Sequence, residues 1–336
     1  MFKVVNKPTT MRTNKINNVD LFTQNANDNF KKHIKTQSKA ALEIINQYID
    51  WNDLIKPIEK TITRAETGRK PFEILTIIKC FILQSIYSLS DPRLEEEIAD
   101  RRSFQIFLDI TTGDSIPDET TICKYRDMFS RYGLDKKLFK SFYKQLMKKG
   151  LVLEQGTLVD ATIKQAYTRA IPHGNQNNRD KDADFTKRGH KTIFGYKGHI
   201  GMDIKSKVIH SVEFTPVSVH DSEMFEKVLH NKENIVMADK GYANEKRKRK
   251  LRQRGIYWAV LDKAYTHRPM TNKQKSRNSK ISKIRNEVEK PFAFMKNVLD
   301  YTRCSYYNIK RNRFQFTLNT IIYNLRRMIT LTPQLT

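Results

Sequence analysis

Two aspartates and a glutamate stand where a carboxylate is costly or conspicuous. Asp160 interrupts the run Thr157-Leu158-Val159-Asp160-Ala161-Thr162-Ile163, which reads as a strand, and a charge there costs free energy unless a cation lies beside it. Asp239 ends the short apolar segment Ile235-Val236-Met237-Ala238 and precedes Lys240-Gly241-Tyr242, a strand-to-helix corner with a glycine for the turn. Glu289 falls in Val288-Glu289-Lys290-Pro291-Phe292, on a late helix whose apolar side can pack against a sheet. Any one of these alone is ordinarily a cap or a surface ion pair. Together, two strand-end aspartates and a helical glutamate make an all-oxygen donor set suited to hard divalent cations such as magnesium. Such a set suits phosphodiester chemistry, in which paired ions about 4 Å apart activate an oxygen nucleophile and stabilise the leaving oxygen. Arg285 and Lys296 stand four residues before and seven residues after Glu289, so a helix through all three turns them to roughly one face. Two readings of that face stay open: cations gripping phosphates around a metal-binding glutamate, or an exposed ion-paired surface.

Composition supplies a partner for that chemistry. Across 336 residues, 62 Lys and Arg outnumber 36 Asp and Glu, a formal charge of +26 that no acidic block neutralises. A polyanion is the partner this charge implies. Basic residues concentrate at Lys246-Arg247-Lys248-Arg249-Lys250 and along 263–285, where Lys263, Arg268, Lys273, Lys275, Arg277, Lys280, Lys283 and Arg285 meet no acid in sequence. That bias favours contact with a DNA backbone, whose affinity falls steeply with salt. With 12 Gly, 10 Pro and 38 % hydrophobic residues, collagen-like sequence and wholesale disorder are disfavoured. Cys80, Cys123 and Cys304 form no Cys-x-x-Cys pair, which argues for a reducing compartment and against structural zinc. Apolar runs such as Cys80 to Leu83 fall far short of the roughly 20 residues a membrane helix needs, so no membrane is expected as a partner. No apolar stretch of the leader type follows Met1, and a cytoplasmic protein with a loose N-terminal arm is expected.

The elements that must carry these residues fall in two halves. From 38 to 150 apolar residues recur at helical spacing, and Phe72, Leu75, Ile78, Ile82 and Ile86 trace a helix buried on one broad face. Ser90 and Asp118 read as helix N-caps, and Lys148-Lys149-Gly150 as a helix end. Beyond 150 the pattern turns to strands: Phe194 to Ile204 with Val208 to Phe214 forms a hairpin, Ile256 to Leu261 another strand, and helices occupy 221–230 and 243–254. The polar stretches 172–192 and 263–283 read as long binding loops or local disorder. The expected division is therefore a flexible arm over 1–37, an all-α domain over 38–150, and an α/β mixed-sheet domain over 151–336.

On these residues the sequence resembles the DDE transposases of bacterial insertion sequences, in particular the IS-five family. Leu158-Val159-Asp160-Ala161-Thr162 is similar to the family's first-aspartate strand, Phe194-Gly195-Tyr196-Lys197-Gly198-His199-Ile200-Gly201-Met202-Asp203 to its hairpin signature, and Ala238-Asp239-Lys240-Gly241-Tyr242 to its second-aspartate turn. Val288-Glu289-Lys290-Pro291-Phe292 with Arg285 and Lys296 resembles its Tyr-Arg-Glu-Lys signature, although Ser282 stands where that signature has its Tyr. Upstream, Leu89 to Glu96 and Pro117 to Arg126 resemble the family's helical N-terminal region. The resemblance implies a ribonuclease-H-like catalytic domain and recognition of terminal inverted repeats. It implies Asp160, Asp239 and Glu289 as catalytic ligands of two Mg²⁺ ions, with Mn²⁺ as a substitute. It further implies double-stranded DNA as partner, a homodimer or higher assembly on that DNA, action at the bacterial nucleoid, and DNA contacts from Arg285, Lys296, Lys197 and Lys240. Two other classes compete: a transposase-derived DNA-binding protein that no longer cuts, whose mark would be a missing carboxylate, and a metal nuclease without strand transfer. His199 reads as structural, Asp203 as lying near the hairpin turn away from the acids, and Asp221 of His220-Asp221 as a helix cap. Trp51 and Trp258 read as core, and the Tyr306-Tyr307 pair stays undecided.

Overall fold

A computed structural model describes residues 3–4, 37–63, 71–111, 113–168, 179–264, 267 and 269–332. The chain divides into two compact units, Met1–Gln145 and Leu146–Thr336. In the first unit, β1 (Lys3–Val4) pairs antiparallel with β2 (Ile62–Thr63), and the other elements among the described residues are helices. Its helices are α1 (Gln37–Tyr48), α2 (Trp51–Glu59), α3 (Ile74–Tyr87), α4 (Asp91–Asp100), α5 (Arg102–Phe107), α6 (Glu119–Arg131) and α7 (Leu134–Lys148), the last running on into the second unit. The expected arm over 1–37 lies outside the described residues apart from β1 and Gln37.

Helix α3 is buried more fully than a single stripe requires: every residue from Ile77 to Gln84 is buried, Lys79 included. Lys79 is tolerated there because its ammonium meets the Asp109 carboxylate at 2.7 Å. Ser90 accepts from the Arg93 N–H at 3.3 Å and Asp118 from the Thr121 N–H at 2.6 Å, so both caps form as read. The fully buried Arg126 of α6 donates to both oxygens of Asp91 and, at 2.9 Å, to Gln84 Oε1, tying α3, α4 and α6 together.

The second unit is built on a six-stranded mixed sheet. Its strands are β3 (Gly156–Gln165), β4 (Asp184–Arg188), β5 (Lys191–Asp203), β6 (Ile209–Pro216), β7 (Ile235–Ala238) and β8 (Tyr257–Val260). Order runs β4-β5-β3-β7-β8, with β6 also on β5; β5 is antiparallel to its partners, while β3, β7 and β8 run parallel. Helices α8 (Asp221–Met224), α9 (Glu245–Gln253), α10 (Asn272–Arg285), α11 (Glu289–Asn297) and α12 (Ile309–Leu331) complete it. Val159, Val236, Phe225, Leu251 and Trp258 close one core beneath α9. Elsewhere Phe316 of α12 packs on Phe214, and the Asn324 amide bonds both the N–H and the carbonyl of Ile209, at 2.8 and 2.7 Å.

Two expected loops are ordered elements instead. Within 263–283, α10 starts at Asn272 behind a capping box in which Thr271 and Gln274 satisfy each other's backbone N–H groups. Only Ile281 of this helix is buried, so no apolar period announces it. In 172–192, β4 forms an exposed edge strand, and β5 begins at Lys191 after a turn at Gly189 with φ +61; residues 169–178 lie outside the described residues. The helix read over 221–230 is one α-turn followed by a 3-10 turn, Glu226–Val228. No single described helix is long and apolar enough to cross a membrane.

The glycines of the hairpin mark close approaches on opposite faces of β5. A Cβ at Gly198 would enter the Phe316 ring, and one at Gly201 would overlap the Val228 carbonyl oxygen. A ring at the end of a side chain can shift more readily than backbone. Gly201→Ala is therefore expected to destabilise the chain by about 1–3 kcal/mol, the range for overpacking a core, measured as a lower urea midpoint; an unchanged midpoint would refute the contact.

Candidate active site

The register of two parallel strands brings the aspartates together. Val159 of β3 pairs with Ala238, the last residue of β7, so Asp160, which lies inside β3 opposite Ile200 rather than at a strand end, and Asp239, just past the end of β7, follow one another's register on neighbouring strands. Neighbouring strands lie about 4.8 Å apart. Beyond Asp239 the chain turns through a 3-10 segment, Lys240–Tyr242, whose Tyr242 N–H donates to the Asp239 carbonyl at 3.0 Å. Glu289 arrives from the other side of the sequence as the first residue of α11, behind the 3-10 turn Asn286–Val288.

One guanidinium joins the pieces. Arg285, at the end of α10, places Nη1 3.3 Å from Asp160 Oδ2 and Nη2 3.5 Å from Glu289 Oε1. Its side chain is only 15 % exposed, which strengthens the attraction relative to a surface pair. The Asp160 carboxyl is held up at about 6, chiefly by burial and further by the charges of Asp239 and Glu289, against the Ala161 N–H, donating at 2.8 Å, and Arg285, which both lower it. Tyr242 is buried, its hydroxyl meets no partner, and Asp221, Asp160 and Asp239 all raise its pKa further.

These three carboxylates thus share one electrostatic neighbourhood, yet among the described residues no three His, Cys, Asp or Glu side chains stand in reach of a single ion. The donor chemistry fits a hard cation: all oxygen, with no thiol or imidazole among them. Their mutual repulsion, partly answered by Arg285, marks a place where positive charge is stabilising.

Residues 153–325, more than half of the chain, match a family model described as Transposase DDE domain, and residues 28–128 match Transposase domain (DUF772). The chain belongs to the DDE transposase family. Its mixed sheet is accordingly ribonuclease-H-like, preceded by a helical region. Among solved structures it is similar to a piggyBac transposase synaptic complex with hairpin DNA, at 10 % identity and TM-score 0.43, over 86 % of this chain and 72 % of that one. The transposase family generally uses divalent metal ions.

The remaining candidate residues of the transposase separate by environment. Lys240 and Lys296 are exposed. Lys197 is turned inward, its ammonium 2.8 Å from Asp221 Oδ1 and 2.9 Å from the Val219 carbonyl. The helix cap is His220, whose Nδ1 accepts from the Ser222 N–H at 3.2 Å, so Asp221, read as the cap, instead serves Lys197. His199 is buried against Thr215 Oγ1 at 3.0 Å and its pKa is lowered to about 4 by burial, as a structural histidine requires. Asp203 accepts from the Lys205 and Ser206 N–H groups and closes the hairpin turn, away from the acids.

Sequence reasoning missed two residues beside the site. Lys164, four positions beyond Asp160 on β3, is buried over the Tyr301 ring, and burial followed by the nearby Lys296 holds its pKa down to about 8 although Cys304 opposes this. A lysine inside an apolar strand was its signal. Tyr242 carried none beyond its motif.

Because Asp160 keeps its proton to higher pH in the fold than in the unfolded chain, the unfolded state binds fewer protons between about pH 4 and 6, and stability falls as pH rises through that window. Asp160→Asn is expected to remove this fall and to gain about 1–3 kcal/mol over the parent at pH 7 without divalent ions. Urea unfolding at pH 4 and pH 7 tests it, and parallel pH profiles for the two proteins would refute it.

Proposed function

We propose that the chain is the transposase of an IS-five-type insertion sequence, which binds the element's terminal inverted repeats, cuts there and joins the freed end to target DNA. The observation that carries this reading is the β3–β7 register, which makes Asp160 and Asp239 neighbours, with Arg285 linking Asp160 to Glu289. In this reading the helical region 38–150 binds DNA or assembles the complex, 1–37 is a flexible arm, and 151–336 does the chemistry, as a homodimer or higher assembly on double-stranded DNA. Action at the bacterial nucleoid in the cytoplasm goes with it.

Asp160, Asp239 and Glu289 would hold two Mg²⁺ ions, which Mn²⁺ can replace. When bound, these supply activation of the attacking oxygen and stabilisation of the leaving one. The chain's own residues do the rest. Arg285 must give up its hold on Asp160 and Glu289 before those oxygens can serve an ion, and its freed guanidinium is matched to a phosphate. Lys296 and Lys240, both exposed, are available to the DNA backbone. Lys197, committed to Asp221, contributes to the same anion only through the field of its charge. The presence of all three carboxylates favours an enzyme over a derived DNA-binding protein.

Incubation of the chain with Mg²⁺ and DNA carrying candidate element ends, scoring cut and joined products, tests the proposal. Joined products support it; cuts without joining would mean a nuclease, and binding alone a non-cutting protein. Asp160→Asn, Asp239→Asn and Glu289→Gln are each expected to lower cleavage by on the order of a thousandfold or more while end binding persists in a gel-shift assay. Mg-dependent nicking retained by any variant would remove that residue from the site. For Lys296→Ala, weakened processing at an unchanged melting temperature is expected; a collapse in melting temperature without a DNA defect would make Lys296 structural.

A further inference from the structure

Tyr167 and Tyr307 are exposed aromatic side chains, 50 % and 46 % accessible, and they touch: their ring centroids lie 5.4 Å apart at 59°. Water is a poor environment for two such faces unless something is meant to cover them. The backbone beneath both rings is fixed. Gln165, at the end of β3, bridges to Arg303, and the Cys304 N–H donates to the Gln165 carbonyl at 2.9 Å. Arg303 Nη2 donates to the carbonyls of Ala166, at 3.1 Å, and Tyr167, which sets its guanidinium 6.0 Å from the Tyr167 ring centre. On the other flank the buried Asp180 takes the Asn308 N–H at 3.0 Å and the Tyr196 hydroxyl at 2.6 Å, while Asp182 takes the Ile309 N–H at 3.0 Å. Those two carboxylates position the turn that follows Tyr307 and are balanced by the exposed Arg303 and Lys310.

We propose that Tyr167, Tyr307 and Arg303 form a stacking platform for an unpaired nucleobase of the bound DNA. Aromatic faces beside cations are the chemistry that receives single strands, because every base offers a π-face and every nucleotide a phosphate. A nucleobase is favoured as the occupant because Arg303, exposed and 6.0 Å from the Tyr167 ring centre, sets a cation at the edge of the two rings. Tyr167 lies two residues past the end of β3, whose last five residues after Asp160 span about 16 Å, so the platform takes nucleotides flanking the reacting phosphate. The proposal rests on the reading of the chain as one that handles DNA strands.

The test measures metal-free binding of the full chain to a single-stranded oligonucleotide carrying 2-aminopurine and to the duplex of the same sequence, by fluorescence titration. For Tyr167→Ala and Tyr307→Ala, single-strand affinity and base quenching are expected to fall about tenfold or more with duplex affinity unchanged; Tyr167→Phe and Tyr307→Phe, which keep the ring, should match the parent. Equal losses on single strand and duplex, no loss on either, or a changed oligomeric state with unchanged DNA binding would each overturn the platform. A parent chain that binds duplex but shows no quenching sinks the platform alone, whereas one that binds neither DNA sinks the DNA reading as well.

Discussion

A negative charge set into an apolar strand governs this fold's chemistry. Asp160 cannot sit on β3 without compensation, and the compensation comes from Arg285, 125 positions later in the chain. That attraction ties the end of α10 to the centre of the sheet, and the same guanidinium then reaches Glu289 one turn further on. Because α10 ends and α11 begins around this contact, the glutamate's position follows from the aspartate's need for a cation. The parallel pairing of β3 with β7 adds Asp239 with no further interaction, since strand register alone makes it a neighbour.

The excess positive charge is divided between structural and available cations. Arg277 is consumed by the end of β8, donating to the Trp258 and Val260 carbonyls at 2.7 and 3.0 Å and pairing with Asp262 at 2.9 Å. Arg247 lies over the Phe225 ring and donates to the Ser222 carbonyl at 2.7 Å, and Lys248 and Lys250 meet Glu245 and Glu226. Exposed and without a carboxylate partner among the described residues are Lys273, Lys275, Lys280 and Lys283 along α10. A helix with one buried residue and a cationic surface gains little from packing; its capping box and the Arg277 anchor hold it in shape. Its charge is thereby presented to solvent.

In the helical region the motif residues are chiefly architectural. Asp91 and Arg126, which belong to separate stretches that resemble the family, meet each other in the interior, with Gln84 completing the set. Removing either partner would leave a charge with little access to water. Family-like sequence there reflects how three helices are locked, whatever those helices later bind.

Local sequence determined the strands carrying Asp160 and Asp239, the β5–β6 hairpin, the caps at Ser90 and Asp118, and the total charge, because alternation, turn residues and capping chemistry act within a few residues. The family-like motifs named the acids, but spacing along the chain could not say that Arg285 lies between two of them. Only the tertiary structure decided that, along with the inward turn of Lys197 toward Asp221 and the meeting of Tyr167 with Tyr307. Helix α10 and strand β4 stayed hidden for a related reason: neither buries an apolar face, so their order comes from a capping box, an anchoring arginine and an edge pairing that carry no periodic signal. Patterns in sequence record what each residue does for its own element, whereas the site is made of contacts between elements far apart in the chain.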